Sequence, residues 1–211
     1  RASWWAFKLG KTRASWQAFD LKSRANPALS GVGESKTKSP TPTHVKLPAV
    51  IAPLAPQDIG LTATAQPTLY WYMSSAWNYE IGFTLNELGS CEPLIEHIID
   101  QKTECQKHLQ EDFICHLNLA NHNKKLLPER EYEWFVYIAF DPEQRTSDWL
   151  ASALIHYKQP SNTLLKRLEQ TPSRQQHQVY KQEGFWYDAI DKLRTQQIKE
   201  NFRTESANWI T

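Results

Sequence analysis

Seven short stretches, VKLPAVIAPLAP (45–56), TLYWYM (68–73), YEIGFTLNEL (79–88), PLIEHIID (93–100), FICHLNL (113–119), EYEWFVYIAF (131–140) and DWLASALIHYK (148–158), are rich in β-branched and aromatic residues and separated by turn formers. Runs of this length and composition read as strands. In the third, Tyr79, Ile81, Phe83 and Leu85 alternate with Glu80, Gly82 and Thr84, the period of two that marks a sheet with one buried face. The sixth repeats it, with Tyr132, Trp134, Val136 and Ile138 on one side. Seven such strands predict a mainly β body, an antiparallel, immunoglobulin-like β-sandwich.

After Gln159 and Pro160 the period changes. Leu164, Leu165 and Leu168, then Val179 and Tyr180, then Trp186, Ala189, Ile190 and Leu193 fall at helical spacing, which predicts a C-terminal helical hairpin or cap. Asn162 and Ser173, the latter after Pro172, are placed to cap helices, and Gly184 to break one. Upstream of the strands, Lys22 to His44 is polar and contains Pro27, Pro40 and Pro42, a composition with too little apolar surface to fold alone. The chain therefore divides into an extended N-terminal arm and linker (1–44), a β-sandwich (45–159) and a helical cap (160–211).

The arm opens with a duplication: RASWWAF (1–7) recurs as RASWQAF (13–19). On a helix, an offset of twelve residues at about 100° each sets the two copies about 120° apart, so no shared stripe forms. On an extended chain the even offset puts Trp4 and Trp16 on one side with Ala2, Ala6, Ala14 and Ala18, while Trp5, Phe7 and Phe19 face the other way. An aromatic strand on a long tether needs an acceptor, and an open sheet edge accepts one by strand addition. Trp4, Trp5, Phe7, Trp16 and Phe19 are thus the expected subunit-binding residues, and a neighbouring copy docked head-to-tail gives a ring or a filament.

Net charge is +1, from 24 basic and 23 acidic residues, and no basic stripe stands out, so nucleic acid is not an expected partner. No apolar run reaches the roughly 18 residues of a membrane-spanning helix. The start at Arg1 suggests a processed, exported chain, secreted, extracellular or at the cell surface, with the periplasm as a further location. Cys91, Cys105 and Cys115 allow one disulfide and leave one thiol, with the pairing open.

Candidate chemistry is sparse. CQKHLQEDFICHLNLANH gathers Cys105, His108, Cys115, His116 and His122, but the spacing fits no standard zinc motif, and on a strand Cys115 and His116 point to opposite faces. Glu96 with His97, and the carboxylates around Asp141, are adjacent in sequence, which does not make them converge. DPEQRTSD reads as a turn with Arg145 paired to Asp148. The GxSxG, phosphate-loop and HExxH patterns are missing. Accordingly no catalytic residue, metal or cofactor is expected, and the chain is not read as an enzyme. Among nine tryptophans, Trp71, Trp134 and Trp186 sit in apolar patterns and read as core, whereas Trp77, in the turn-like MSSAWN, is the candidate surface contact for a ligand.

GLTATAQPTLYWYM, FDPEQRTSDW and VYKQEGFWYDAIDKL together resemble the successive signatures of bacterial domain-of-unknown-function family 928, over about Val45 to Leu193. The resemblance implies export and supplies no activity, cofactor or site residue; the aromatic duplication is not part of its pattern. The last segment is also similar to a single tetratricopeptide hairpin, through Tyr180, Gly184, Trp186, Tyr187 and Ala189. One copy cannot build a solenoid, so it is expected to dock on the sandwich. The leading expectation is an exported structural protein that self-assembles through its arm; the alternative is a monomeric periplasmic or cell-surface module that binds a glycan or a surface protein.

Overall fold

A computed structural model describes residues 50–77, 80–107, 112–138 and 149–208. The arm, including Trp4, Trp5, Phe7, Trp16 and Phe19, and the segment with Asp141, Arg145 and Asp148 lie outside the described residues.

Among the described residues nine strands form two sheets. The first contains β1 (Ile51–Pro53), β3 (Thr68–Met73), β7 (Phe113–Asn118) and β6 (Cys105–Lys107), in that spatial order. The second contains β2 (Gly60–Thr62), β9 (Trp149–Tyr157), β8 (Arg130–Ile138), β4 (Ile81–Glu87) and β5 (Pro93–Ile98). All pairs are antiparallel except β2 with β9. The chain is thus mainly β, and the expectation of a purely antiparallel sheet is corrected at that edge. The chain leaves β1 in one sheet, crosses to the other and runs beside β9 in the same direction as its neighbour.

The alternation read in β4 and β8 is present. Ile81, Phe83, Leu85, Trp134, Val136 and Ile138 are fully buried, and they share one core with Leu69, Trp71, Met73 and Leu117 of the other sheet. Aromatic rings cross the interior: Trp71 stacks on Phe83 with centroids 6.1 Å apart, and Phe83 on Trp134 at 5.9 Å. On the outer face Gly82 lies opposite Tyr137, whose ring occupies the space a Cβ would need. This is a close approach that only glycine permits.

The C-terminal segment is helical, with α2 (Asn162–Gln170), α3 (Gln176–Gln182) and α4 (Trp186–Asn208). The cap of α2 is Ser161 rather than Asn162: its backbone is extended and its hydroxyl accepts from Leu164 N–H at 3.1 Å. At the next turn Pro172, not Ser173, holds the cap position, and no side-chain cap bond forms there. Gly184 has φ +81°. Its N–H donates to Lys181 O and that of Phe185 to Tyr180 O, the paired closure by which a left-handed glycine ends a helix. Leu164, Leu168, Val179 and Phe185 form a small second core that packs on Leu61 of β2 and Ala63 just after it.

Two tryptophans exchange the places expected of them. Trp77 is 4% exposed and belongs to the main core, while Trp186 is 38% exposed. Gln101 holds Trp77 inward: its side-chain amide donates to Trp77 O at 2.6 Å and accepts from Trp77 N–H at 3.3 Å, so a loop residue gains strand-like pairing. At the start of α4, Phe185, Tyr187 and Ala189 take the buried positions. Trp186 is left outward, its indole N–H donating to Leu54 O at 3.1 Å.

Candidate functional site

Among the described residues four edge strands end the two sheets. β1, β2 and β6 have three residues each, and β1 carries Pro53, whereas β5 has six. Ile99 N–H donates to Ile81 O at 2.9 Å, and the register continues as His97 opposite Phe83 and Ile95 opposite Leu85. Hydrogen-bonded partners alternate along an antiparallel ladder. Ile95 and His97 therefore bond to β4, and the backbone groups of Glu96 and Ile98 turn outward; beyond Leu85 the register shifts, Asn86 pairing with Pro93 and Leu94 standing as the extra residue. The side chains of Glu96 and Ile98 share the outer face, Glu96 exposed and Ile98 48% exposed, whereas Leu94 packs against the main core.

Beside the start of β5 lies a recess of about 240 Å3, lined by Glu87, Ser90, Glu92, Pro93, Leu94, Leu127 and Tyr132. It is smaller than the usual small-molecule pocket and suits a single large side chain. Leu127 stands 53% exposed at its rim. Glu92, Glu96 and Asp100, all exposed, give this edge a negative surface.

The C-terminal end of β5 carries a group that the sequence did not announce. His97, on the inward side of the strand, lies with Nε2 3.1 and 3.0 Å from the two carboxylate oxygens of Glu104. Glu104 closes the single-turn helix α1 (Gln101–Glu104), which Asp100 caps by accepting from Lys102 N–H. The Asp100 N–H in turn donates to Glu104 Oε2 at 2.7 Å. His122 comes from the other sheet, in the 3-10 turn Leu119–His122 after β7. Asn118 caps that turn through Ala120 N–H, and Asn123 at φ 54° ends it. The His97 and His122 rings meet edge to face with centroids 4.5 Å apart. One ligand atom from each of His97, Glu104 and His122 lies within 4.8 Å of the other two. Burial and the neighbouring His97 push the His122 pKa down, with Glu104 opposing, which favours the neutral imidazole.

The other residues of the cysteine- and histidine-rich stretch go elsewhere. Cys105 and Cys115 face each other across β6 and β7 and form a disulfide, leaving Cys91 exposed and apart from it. His116 stacks on Tyr70 at 5.9 Å, and His108 lies outside the described residues. Glu96 and His97, adjacent on β5, point to opposite faces and do not converge.

A second polar group sits under α4, beside a cavity of about 110 Å3 that reaches Thr64, Thr68, Asn118 and Asp188. The Asp188 carboxylate accepts from Ala63 N–H and from the Thr64 hydroxyl, both at 2.8 Å. Burial raises its pKa, and these bonds oppose the rise. Its partners are Thr62, at the end of β2, and Ala63 and Thr64 just after it, so it acts as a clamp that holds the first turn of α4 to the sheet edge.

Among the described residues no helix is long and apolar enough to cross a membrane. A family model described as Domain of Unknown Function (DUF928) matches residues 32–211, so the duplicated aromatic block of residues 1–19 precedes the matched region. No curated protein matches the chain.

Proposed function

Since the chain belongs to domain-of-unknown-function family 928, which brings no activity with it, we propose from its own surfaces that it is an exported structural protein that self-assembles. In this reading the two sheets serve as an immunoglobulin-like sandwich whose β5 edge accepts the N-terminal arm of a neighbouring copy as an added strand. The observation that carries it is the six-residue edge with outward backbone groups at Glu96 and Ile98. An open edge of that kind pairs readily with another chain.

Three further features support the arm as occupant. Residues 1–19 contain Arg1, Lys8, Lys11 and Arg13 and no acid, complementary to Glu92, Glu96 and Asp100 on the edge. The recess beside Pro93 and Leu94 has room for one large side chain such as a tryptophan. The tether from Phe19 to Val50 is long enough to reach a neighbour. Each copy both donates and accepts, so the contact runs head-to-tail and propagates to a ring or filament. The Cys105–Cys115 disulfide supports an oxidising, extracytoplasmic location. On this reading the chain is not an enzyme. The alternative of a monomeric module for a glycan or surface protein has lost its named contact, since Trp77 is buried.

Proline at position 96 tests this. Glu96→Pro removes an outward N–H without breaking a bond to β4, so the body keeps its melting temperature to within a few degrees while self-association measured by sedimentation velocity disappears. Trp16→Ala weakens association in the same assay and leaves the fold alone. Association undiminished in both variants would place the contact elsewhere.

A further inference from the structure

We propose that His97, Glu104 and His122 form a binding site for one divalent transition-metal cation, of which Zn2+ is the representative. Two imidazoles and a carboxylate are a donor set that zinc accepts with three protein ligands, the remaining position going to water or another donor. Imidazole selects zinc, copper or nickel over magnesium and calcium, which prefer all-oxygen shells.

The three residues come from three separate elements, β5, α1 and the turn after β7. Ligands about 2.1 Å from a common ion lie roughly 3.4 Å apart in a tetrahedral site. His97 Nε2 and Glu104 Oε1 already stand at 3.1 Å, and the whole set lies within 4.8 Å, so side-chain rotation alone completes the approach. The backbone around each donor is fixed. Glu104 precedes Cys105, whose disulfide to Cys115 ties α1 to the first sheet, and capping bonds at Asn118 and Asp100 set the two turns. The Asp100 N–H on Glu104 Oε2 orients the carboxylate and leaves Oε1 to the ion, the supporting bond that metal-binding carboxylates characteristically have.

All three side chains are half-buried, so an ion can enter from solvent. Bound there, it joins the edge strand of one sheet to the end of a strand in the other. That site is independent of strand addition, and one can fail without the other.

The test is zinc titration of the full chain by calorimetry together with thermal melting. The expected result is one Zn2+ per chain and a rise in melting temperature with zinc concentration, with Mg2+ and Ca2+ giving none. His122→Asn and Glu104→Gln should each weaken binding at least about 10-fold, while His156→Asn and Cys91→Ser bind as the parent does. X-ray absorption on the zinc-loaded chain should show a nitrogen and oxygen shell with imidazole scattering, a readout that stands even if a variant folds poorly. A sulfur shell, no stoichiometric binding, or equal affinity in the His122 and His156 variants overturns the proposal.

Discussion

Replacing Trp134 by alanine is expected to cost the fold about 3–5 kcal/mol, the range for deleting a fully buried tryptophan. Its ring is completely buried and stacked on Phe83. Its indole N–H donates to the Tyr187 hydroxyl at 3.0 Å, and that hydroxyl donates to Leu154 O at 2.9 Å. A single side chain on β8 therefore fills the core and also fastens α4 to it. The relay is tight enough that Gly60 has no room for a Cβ, which would meet the Tyr187 ring at 2.5 Å. Tyr187→Phe should cost about 1–3 kcal/mol by leaving the indole N–H without its acceptor, and the two losses should not add, because the residues share one bond. Chemical denaturation of the two single variants and the double variant measures all three. A loss under about 1 kcal/mol for Trp134→Ala would mean that this ring is not where the core is built.

Reducing the Cys105–Cys115 disulfide is expected to lower stability by about 3 kcal/mol, from the chain entropy regained by a loop of about ten residues. β6 is only three residues long and pairs with β7 alone, so it has little else to hold it. The reduced protein should melt earlier, and hydrogen exchange should quicken first at residues 105–107 and at α1, with β4 and β8 unaffected. Equal melting with and without reductant would show that these two strands hold together without the covalent link.

How much of this was legible follows from the length scale of each signal. The strands of β4 and β8 declared themselves because each is long, one-sided and internally regular; Tyr132, Trp134, Val136 and Ile138 are at most 1% exposed. The position of Gly184 was legible for a similar reason, since a helix stop is a local backbone requirement. Trp77 and Trp186 were not legible. The burial of Trp77 depends on a pair of bonds from Gln101, 24 residues away, and the exposure of Trp186 on which neighbours face the sheet. Local composition carries neither fact. The parallel β2 depends on a crossing between sheets, and the disulfide pairing on which strands become neighbours.

The histidine cluster is the clearest case. His97 and His122 each attracted notice separately, one beside Glu96 and the other among cysteines, and Glu104 attracted none. Only the crossover through α1, which carries the chain from β5 to β6, puts the three together.

The central claim is that the arm links one copy to the next, and the full chain compared with a chain lacking residues 1–23 tests it most directly. Light scattering and electron microscopy across a range of protein and salt concentrations are predicted to show rings or filaments for the full chain and folded monomers for the shortened one. Monomers in both samples, or equal polymers in both, would contradict it.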